Sequence, residues 1–327
     1  MKRVVLKFGG SSVASLEKMQ TVAKRIIKRY KNQEQIIVVV SAMGLTTNQL
    51  LELVRKVTKV PVRREVDMLL ATGEQLSSAL LSIIINDYKV PSISLCGFQA
   101  GIKTKGEHQK SEILEVDPNN IEKYLSQGKV VVVAGFQGMN EKGDITTIGR
   151  GGSDTTAVAL AARLKCPCEI YTDVDGIYVV DPKILPSAKQ INEISYQMLS
   201  EMATLGAKVI AAPAIKMAQQ YQVPLWISVS HQEGIGTRVS NESLDRDLIC
   251  LVISNDIENC LDKKIRFSLV KMGINDNDLD ELNQIFAKNH LKWVKKEKSV
   301  NSVSYFIEKS MLDKMLSVIS DEYNLEK

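Results

Sequence analysis

The segment QIIVVVSAMG, Gln35–Gly44, carries the clearest information about the fold class. Five consecutive β-branched residues, Ile36–Val40, are followed directly by small residues, and no polar residue alternates with them. A strand with one face in solvent shows such alternation, whereas a continuous apolar run is typical of a strand buried on both faces of a parallel sheet. The segment therefore predicts a central parallel strand that ends in a turn.

The same strand signal recurs along the chain and alternates with helical periodicity. Apolar residues repeat at helical spacing over residues 16–30, before that strand. Further strands are predicted for RVVLKF, SISLC, KVVVVAG, CEIYTDV and VPLWISVS, and further helices around residues 48–58, 65–86, 118–127, from 155, and twice between 196 and 221, with breaks at Gly206 and Pro213. This alternation predicts crossover units and a doubly wound α/β sheet.

Composition and charge narrow the class of protein. The chain has 327 residues, 44% of them hydrophobic and 24% charged, which is ordinary for a globular protein with a sizeable core. A net charge of +4 is too small to indicate a nucleic-acid-binding protein. The N-terminus has too few apolar residues for a secretory signal, and no stretch is expected to reach the length of a membrane span. Five cysteines without a C-x-x-C spacing favour reduced thiols, so a cytoplasmic protein without membrane partners is expected.

The pattern changes near residues 241–244. After that point strands are predicted for LICLVIS, KIRFSLV, KWVKKEK and SVSYFIE, and helices for residues 278–289 and 311–323. The order β-β-α-β-β-α indicates a small ferredoxin-like α+β module. The predicted domains are therefore residues 1–243 and residues 244–327. Four lysines around Trp293 could suggest nucleic acid, but a lysine-rich edge strand also protects a sheet from aggregation. They are Lys292, Lys295, Lys296 and Lys298.

The loop KFGGSS follows the first predicted strand and has the composition of an anion site. Gly9 and Gly10 would let backbone N–H groups approach a phosphate, and the helix that follows offers its positive end. Lys7 adds a positive charge on the strand side. The alternative is a tight strand-to-helix turn beside an exposed lysine.

A second glycine loop, GRGGSD at residues 149–154, precedes an almost wholly apolar helix. It matches neither the Walker A motif nor the dinucleotide fingerprint, so it predicts another kind of phosphate-type turn. Ser153 or Asp154 could instead cap the helix. Capping explains one residue, but it leaves three glycines and Arg150 without a reason.

Two more loops follow predicted strands. SAMGLTTNQLL places hydroxyl groups, including those of Ser41 and Thr47, where they could bind a ligand or cap a helix. YTDVDGIYVVDPK lacks the regular ligand spacing of a calcium loop and fits an adenine and ribose pocket better. Glu74 and Lys208 are single charges that, taken alone, fit solvated surface positions.

These loops appear in an order that resembles one family. VLKFGGSSV, VVVSAMGLTTNQLL, LATGEQLS, VAGFQG, ITTIGRGGSDTTAVALAA, EIYTDVDGIYVVDPK and LGAKVIAAPA together look like the aspartate kinases of the amino acid kinase fold, over residues 2 to about 238. The resemblance implies a three-layer α/β/α sandwich followed by an ACT-like module. It also implies transfer of a phosphoryl group from ATP to L-aspartate with Mg²⁺, the first step toward lysine, threonine and methionine.

The resemblance also implies a role for each motif residue. Because the accepting carboxylate is already ionised at pH 7, the reaction needs positioning and electrostatic stabilisation rather than a general base. The implied catalytic residues are Lys7 and Asp154, and no metal ligand is implied. Aspartate would be bound by Ser41, Thr47, Glu74, Arg150 and Ser153. The nucleotide would be bound by Gly9, Gly10, Ser11, Thr172, Asp173, Tyr178, Lys183 and Lys208.

The chain departs from the family in its C-terminal part. Aspartate kinases usually carry two ACT domains, and about 85 residues follow residue 243 here, which is room for one. We therefore expect weak feedback regulation and, by analogy, a homodimer. Two alternatives stay open: a kinase of the same fold acting on another acidic amino acid, and a non-catalytic sensor subunit. The presence of every charged motif position disfavours the sensor.

Overall fold

A computed structural model describes residues 2–230, 234, 236–241, 247–255 and 264–327. The chain divides into two compact units: Met1–Asp175 with Pro213–Val239, and Gly176–Ala212 with Ser240–Lys327. The predicted boundary between residues 243 and 244 lies outside the described residues. Residues 176–212, which the sequence pattern assigned to the first domain, group here with the C-terminal part of the chain. The division at residue 243 stays a prediction.

The secondary structure is numbered in chain order. The strands are β1 (Arg3–Phe8), β2 (Gln35–Val40), β3 (Ser92–Leu95), β4 (Ile102–Lys105), β5 (Glu112–Val116), β6 (Val130–Ala134), β7 (Gln137–Met139), β8 (Ile145–Thr147), β9 (Cys168–Thr172), β10 (Ile177–Tyr178), β11 (Gln190–Ile191), β12 (Glu193–Ser195), β13 (Leu225–Val229), β14 (Thr237–Ser240), β15 (Cys250–Ser254), β16 (Lys264–Val270), β17 (Lys295–Lys298) and β18 (Ser302–Glu308). The helices are α1 (Leu16–Lys31), α2 (Thr46–Val57), α3 (Arg63–Asp87), α4 (Asn119–Ser126), α5 (Gly152–Leu164), α6 (Tyr196–Thr204), α7 (Ala212–Tyr221), α8 (Asp276–Lys288) and α9 (Leu312–Glu322).

The main sheet of the first unit has the strand order β14-β13-β9-β1-β2-β6-β3. All neighbours are parallel except β14, which pairs antiparallel with β13. The continuous apolar run of β2 lies near the middle of this sheet, with Ile36–Val40 all buried. The prediction of a doubly wound parallel sheet is confirmed.

Helices cover both faces of that sheet because the side chains of each strand alternate between the faces. On β1, Leu6 and its neighbours two residues away face α1 and α3, whereas Lys7 faces α5. The predicted three-layer α/β/α arrangement is therefore confirmed. The cluster beneath α1 and α3 includes Val4, Leu6, Phe8, Met19, Val22, Ile26, Val38, Leu81 and Ile85.

A second sheet of the first unit was not predicted from the sequence. Its order is β5-β4-β7-β8, and its strands are three to five residues long. The β4 segment IKTK alternates buried and exposed residues, but four residues are too few for periodicity to distinguish a strand from a loop. This sheet carries the segment that leads into the glycine loop at residues 149–154.

Helix α3 differs from expectation in its length and composition. Its 25 residues include an 18-residue window with a mean hydropathy of 1.5, long and apolar enough to cross a membrane by those criteria alone. The expectation that no stretch reaches that length was wrong for this helix. Half of the window is buried inside the protein, through side chains such as Leu70 and Leu81.

One predicted break was also wrong. Pro213 was expected to interrupt the helices between residues 196 and 221, but it lies in the first turn of α7. The first turn tolerates proline because its N–H groups have no intrahelical acceptor. The other predicted break is correct, since Gly206 follows α6 with φ of +113°.

In the second unit, the antiparallel sheet β15-β16-β18-β17 is accompanied by α8 and α9. The lysine-rich strand β17 lies at its edge, as expected. Backbone hydrogen bonds join residues 176–212 to this C-terminal part. Leu251 N–H donates to the carbonyl of Val179 at 2.6 Å, and Lys189 N–H donates to that of Leu325 at 2.9 Å. These bonds explain why the two segments group together.

Burial in the first unit gives a direct stability prediction. Ile26 of α1 is fully buried, whereas Leu16 of the same helix is 53% exposed. We expect Ile26→Ala to lower the free energy of unfolding by about 2–5 kcal/mol because it leaves a cavity. Leu16→Ala, the matched control, should change it by no more than about 0.5 kcal/mol. Equilibrium urea unfolding checks both values, and equal losses would contradict the assignment of the core.

Candidate active site

A buried ion pair connects the central strand β1 with helix α5. Lys7 Nζ lies 2.7 Å from Asp154 Oδ1, and the two residues are only 8% and 9% exposed. Asp154 occupies the first turn of α5, where the positive end of the helix favours a carboxylate. The two residues predicted as catalytic are thus brought together.

The loop after β1 lies against the loop after β2. A Cβ atom on Gly10 would lie 2.9 Å from the carbonyl oxygen of Ala42, too close for any residue except glycine. Gly44 N–H donates to the carbonyl of Gly10 at 3.1 Å, and Ser41 N–H donates to that of Phe8 at 3.2 Å. Because β1 and β2 are parallel neighbours, their carboxyl ends present both loops at one edge of the sheet.

Glu74 of α3 reaches this edge from the covering helix. Its carboxylate is only 4% exposed, and Oε1 accepts a hydrogen bond from Ala42 N–H at 3.0 Å. Within the described residues, Oε2 has no hydrogen-bond partner. Burial raises the pKa of the Glu74 carboxyl to about 7. Because this side chain is buried, the interpretation of Glu74 as a solvated surface charge is wrong. A buried carboxylate oxygen without a partner is suited to bind a cation.

The glycine loop at residues 149–154 has structural reasons for two of its glycines. Gly151 is the N-cap of α5 in the left-handed conformation, with φ of 73°. A Cβ on Gly152 would lie 2.8 Å from the Phe136 ring. No side chain caps the helix, so the alternative that Ser153 or Asp154 is the cap is wrong. Arg150 is exposed, and it forms no hydrogen bond or ion pair with the part of the chain that the structure describes.

A cleft of about 350 Å³ opens at the carboxyl ends of β9 and β13, beside the loop after β1. It brings together three residues predicted to bind nucleotide, namely Ser11, Thr172 and Asp173. The hydroxyl of Ser12 is buried here without a hydrogen-bond partner in the described chain. The complete lining is Ser11, Ser12, Lys18, Thr21, Thr172, Asp173, Val229 and Ser230.

Sequence reasoning missed several of these groups. Ser12 lies inside the quoted KFGGSS motif, so its position was a usable signal. Lys18 and Thr21 lie one helical turn apart on α1 and carry no motif signal. A second buried carboxylate, Asp67, lies seven residues before Glu74 on α3 and is fully inaccessible to solvent. The usable sequence signal for Asp67 was a charged residue at a position where the helical periodicity of α3 predicts a buried side chain.

The other predicted residues occupy separate places. Ser41 and Thr47 are half-buried, one directly after β2 and the other in the first turn of α2. Gly9 donates its N–H to the carbonyl of Tyr171 at 3.0 Å. Ser153 is buried in the first turn of α5. The remaining three, Tyr178 on β10, exposed Lys183 and exposed Lys208, belong to the second unit, and their role in binding nucleotide stays a prediction.

The raised pKa of Glu74 gives a stability prediction that is independent of function. A carboxyl group with a pKa near 4.5 when unfolded and about 7 when folded binds more protons in the folded state between those values. Folding stability therefore falls as the pH rises through this window, by up to about 3 kcal/mol. Glu74→Gln should remove this dependence, so the variant gains stability over the wild type between pH 5 and pH 8.

Thermal unfolding at both pH values measures the gain. Glu52→Gln, which changes an exposed carboxylate on α2, is the matched control and should show no such gain. An equal pH dependence in Glu74→Gln and the wild type would show that Glu74 is not the titrating group.

Comparison with known proteins agrees with this geometry. Residues 2–228 match the sequence model of the amino acid kinase family. The chain is 47% identical over 248 residues to an aspartokinase of Geobacillus stearothermophilus, covering 75% of this chain and 61% of the relative. It is 39% identical over 335 residues to an aspartokinase of Bacillus sp. strain MGA3, covering 99% of this chain and 80% of the relative.

A solved structure leads to the same family. The crystal structure of aspartate kinase from Synechocystis superposes with a TM-score of 0.66 at 31% identity, covering 98% of this chain and 69% of that one. In the sequence comparison, this chain spans only about three fifths of the length of the Geobacillus aspartokinase. Because the family match covers more than half of the chain, the chain belongs to the amino acid kinase family.

Proposed function

We propose that this chain is an ATP-dependent aspartate kinase, which transfers the γ-phosphoryl group to the side-chain carboxylate of L-aspartate and yields 4-phospho-L-aspartate and ADP. The observation that carries the proposal is the buried Lys7–Asp154 pair, placed where the glycine loops after β1 and β2 and the start of α5 meet. The similarity of this chain to aspartokinases, over most of its length, supports aspartate as the acceptor.

The main task of such a site is to overcome repulsion between two anions. The accepting carboxylate is already ionised, so no residue has to remove a proton from it. Lys7 would stabilise charge on the phosphoryl group during transfer, and a unit charge at ~4 Å with an effective dielectric constant of ~20 contributes ~4 kcal/mol before desolvation. Asp154 fixes the ammonium group of Lys7 before substrates arrive, so little reorganisation is needed during the reaction.

The substrate would be recognised by groups of opposite charge. The free Oε2 of Glu74 would bind the ammonium group of aspartate, and Arg150 would bind its α-carboxylate through two N–H groups. Ser41, Thr47 and Ser153 would add hydrogen bonds. This arrangement leaves the side-chain carboxylate of aspartate to face Lys7.

The nucleotide would enter the cleft lined by Ser11, Thr172 and Asp173. We propose that Gly9 and Gly10 line the phosphates and that Tyr178, Lys183 and Lys208 also bind nucleotide. Mg²⁺ would neutralise charge on the phosphate oxygens when bound. No group of three or more His, Cys, Asp or Glu side chains in the described ranges could hold a metal ion, and Mg²⁺ commonly takes few protein ligands beside phosphates and water. Asp173, which lines the cleft, offers carboxylate oxygens of the kind that Mg²⁺ takes beside phosphates, so the residues present fit a metal that arrives with ATP.

Several broader assignments belong to the same proposal. The antiparallel sheet of the second unit fits an ACT-like module, and a homodimer would follow the analogy with that module. Four cysteines in the described part of the chain are free thiols, as expected in a reducing compartment such as the cytoplasm. They are Cys96, Cys166, Cys168 and Cys250.

A hydroxamate assay with Mg-ATP and L-aspartate tests the activity. We expect the wild type to form aspartyl hydroxamate and Lys7→Met to lower kcat by at least about 100-fold, since it loses the charge on the phosphoryl group. Lys24→Met, which changes an exposed lysine of α1, is the matched control and should retain activity. Lysine or threonine added to the same wells tests the expected weak feedback regulation.

Two other results would change the proposal. Turnover with a different acidic amino acid, and none with aspartate, would support the alternative acceptor. Absence of turnover with every acceptor, in folded protein, would support the sensor subunit. Because Lys7→Met leaves Asp154 buried beside a neutral side chain, the double variant Lys7→Met/Asp154→Asn checks that the loss is not a folding defect.

The pKa of Glu74 predicts how aspartate binding depends on pH. Glu74 must be ionised to pair with the substrate ammonium group, and its pKa of about 7 places the transition between pH 6 and pH 8. We expect kcat/KM for aspartate to fall about tenfold from pH 8 to pH 6 in the wild type. In Glu74→Gln it should be low and nearly independent of pH. A wild-type profile that is flat over this range would contradict the role of Glu74.

A further inference from the structure

Asp67 of α3 is fully buried, and its carboxylate is surrounded by hydrogen-bond donors. Gln109 N–H lies 3.1 Å from each carboxylate oxygen. Thr147 donates twice, from its N–H to Oδ2 at 3.0 Å and from its hydroxyl to Oδ1 at 2.6 Å. Nδ1 of His108 lies 2.8 Å from Oδ2. With the Nδ1–H tautomer of His108, every contact is a donor aimed at an acceptor-only group.

Burying the Asp67 carboxylate has an unfavourable desolvation free energy, so packing alone does not explain why this residue is an aspartate. Moving a charge out of water is unfavourable, and an apolar residue of similar volume is often no less stable. What the carboxylate provides is a link between three segments: α3, the loop at residues 106–111 and the strand β8. An apolar side chain could not fix the relative positions of these segments with comparable directionality.

The strand β8 leads directly to Arg150. Thr147 is its last residue, three positions before Arg150, so their Cα atoms lie within about 11 Å of each other. Ile148 N–H donates to the carbonyl of Phe136 at 2.8 Å, which anchors the residue that follows Thr147. A Cβ on Gly149 would have the Gln109 carbonyl oxygen as its nearest neighbour, at 3.9 Å. Both segments held by Asp67 therefore border the turn that carries Arg150.

Asp67 and Glu74 lie on the same side of α3. Seven residues are almost two helical turns, which returns the side chain to the same face about 10.5 Å further along the axis. At Glu74 the helix contacts the loop after β2, through the hydrogen bond from Ala42 N–H. At Asp67 it contacts β8, through the hydrogen bonds from Thr147. Helix α3 thereby sets the spacing between Glu74 and the turn of Arg150.

We propose that Asp67 is a positioning residue for substrate recognition, which holds the Arg150 turn at a fixed distance from Glu74 through Thr147 and Gln109. The inference rests on the proposed function, in which Glu74 and Arg150 bind the ammonium group and the α-carboxylate of one substrate molecule. These groups share one carbon atom, so their two partners tolerate little change in spacing. Asp67 itself has no access to substrate.

The first test replaces the acceptor with a group that also donates. Asp67→Asn turns an N–H₂ group toward positions already occupied by donors. We expect KM for aspartate to rise at least about tenfold, with KM for ATP within about twofold of the wild-type value. Thr147→Val removes one donor and keeps the backbone N–H, so it is the milder variant and should raise KM for aspartate about threefold or more.

Thr146→Val is the matched control for Thr147→Val. Thr146 is equally buried and also makes a 2.6 Å side-chain hydrogen bond, but to Thr104 rather than to Asp67. If loss of a buried hydroxyl acts only through stability, both variants should behave alike. The proposal requires that Thr147→Val alone raises KM for aspartate.

His108 allows a rescue experiment. The side-chain amide of Asn can place an N–H close to the position of Nδ1, whereas Ala cannot. We expect His108→Ala to raise KM for aspartate about threefold and His108→Asn to restore it to within about twofold of the wild type.

β-Alanine separates positioning from a general loss of structure. It is aspartate without the α-carboxylate, so its binding as a competitive inhibitor does not use Arg150. We expect Asp67→Asn to leave its inhibition constant within about twofold of the wild-type value while KM for aspartate rises. Equal weakening of both ligands, or an unchanged KM in folded Asp67→Asn and Thr147→Val, would overturn the proposal. Absence of aspartate turnover by the wild type would instead overturn the proposed function on which it rests.

Discussion

The ion pair between Lys7 and Asp154 is the contact on which the rest of the candidate site depends. It spans from the central strand to the helix on one face of the sheet, and both partners are almost excluded from water. Such a pair contributes little net stability, because desolvation offsets the attraction between the charges. Its value lies in geometry, since each charge fixes the other at the edge of the sheet where the glycine loops meet.

The opposite face of the sheet is covered by α1 and by the longer helix α3. The buried side of α3 carries two carboxylates among apolar residues, Asp67 and Glu74, and each one contacts a different loop or strand. Asp67 is surrounded by donors, whereas Glu74 keeps one oxygen without a partner in the described part of the chain. The surroundings of Asp67 fit a structural link between segments, whereas the unpartnered oxygen of Glu74 fits a group that binds a cationic ligand. Two acids on one helix thus serve different purposes because their surroundings differ.

The glycines of the site show how packing and ligand binding overlap. Gly10 is required because Ala42 approaches it closely, and Gly151 is required because α5 begins in the left-handed conformation. These reasons hold without any ligand. A sequence pattern that reads as a phosphate loop is therefore also the pattern that lets the two loops and the helix meet at one edge.

The sequence by itself determined the α/β class, the parallel sheet and the position of its main helices. Continuous apolar runs and helical periodicity are local properties, so β2 and α1 could be located from their own residues. The ordered motifs also identified Lys7, Glu74, Arg150 and Asp154 as candidates. The short sheet β5-β4-β7-β8 could not be predicted, because strands of three to five residues show too little periodicity.

Only the tertiary structure decided which charges are buried and which face each other. Lys7 and Asp154 are separated by most of the first unit in sequence, and Asp67 meets Thr147 across 80 positions. Contacts at such separation depend on how the sheet and helices pack, a property that no local pattern contains.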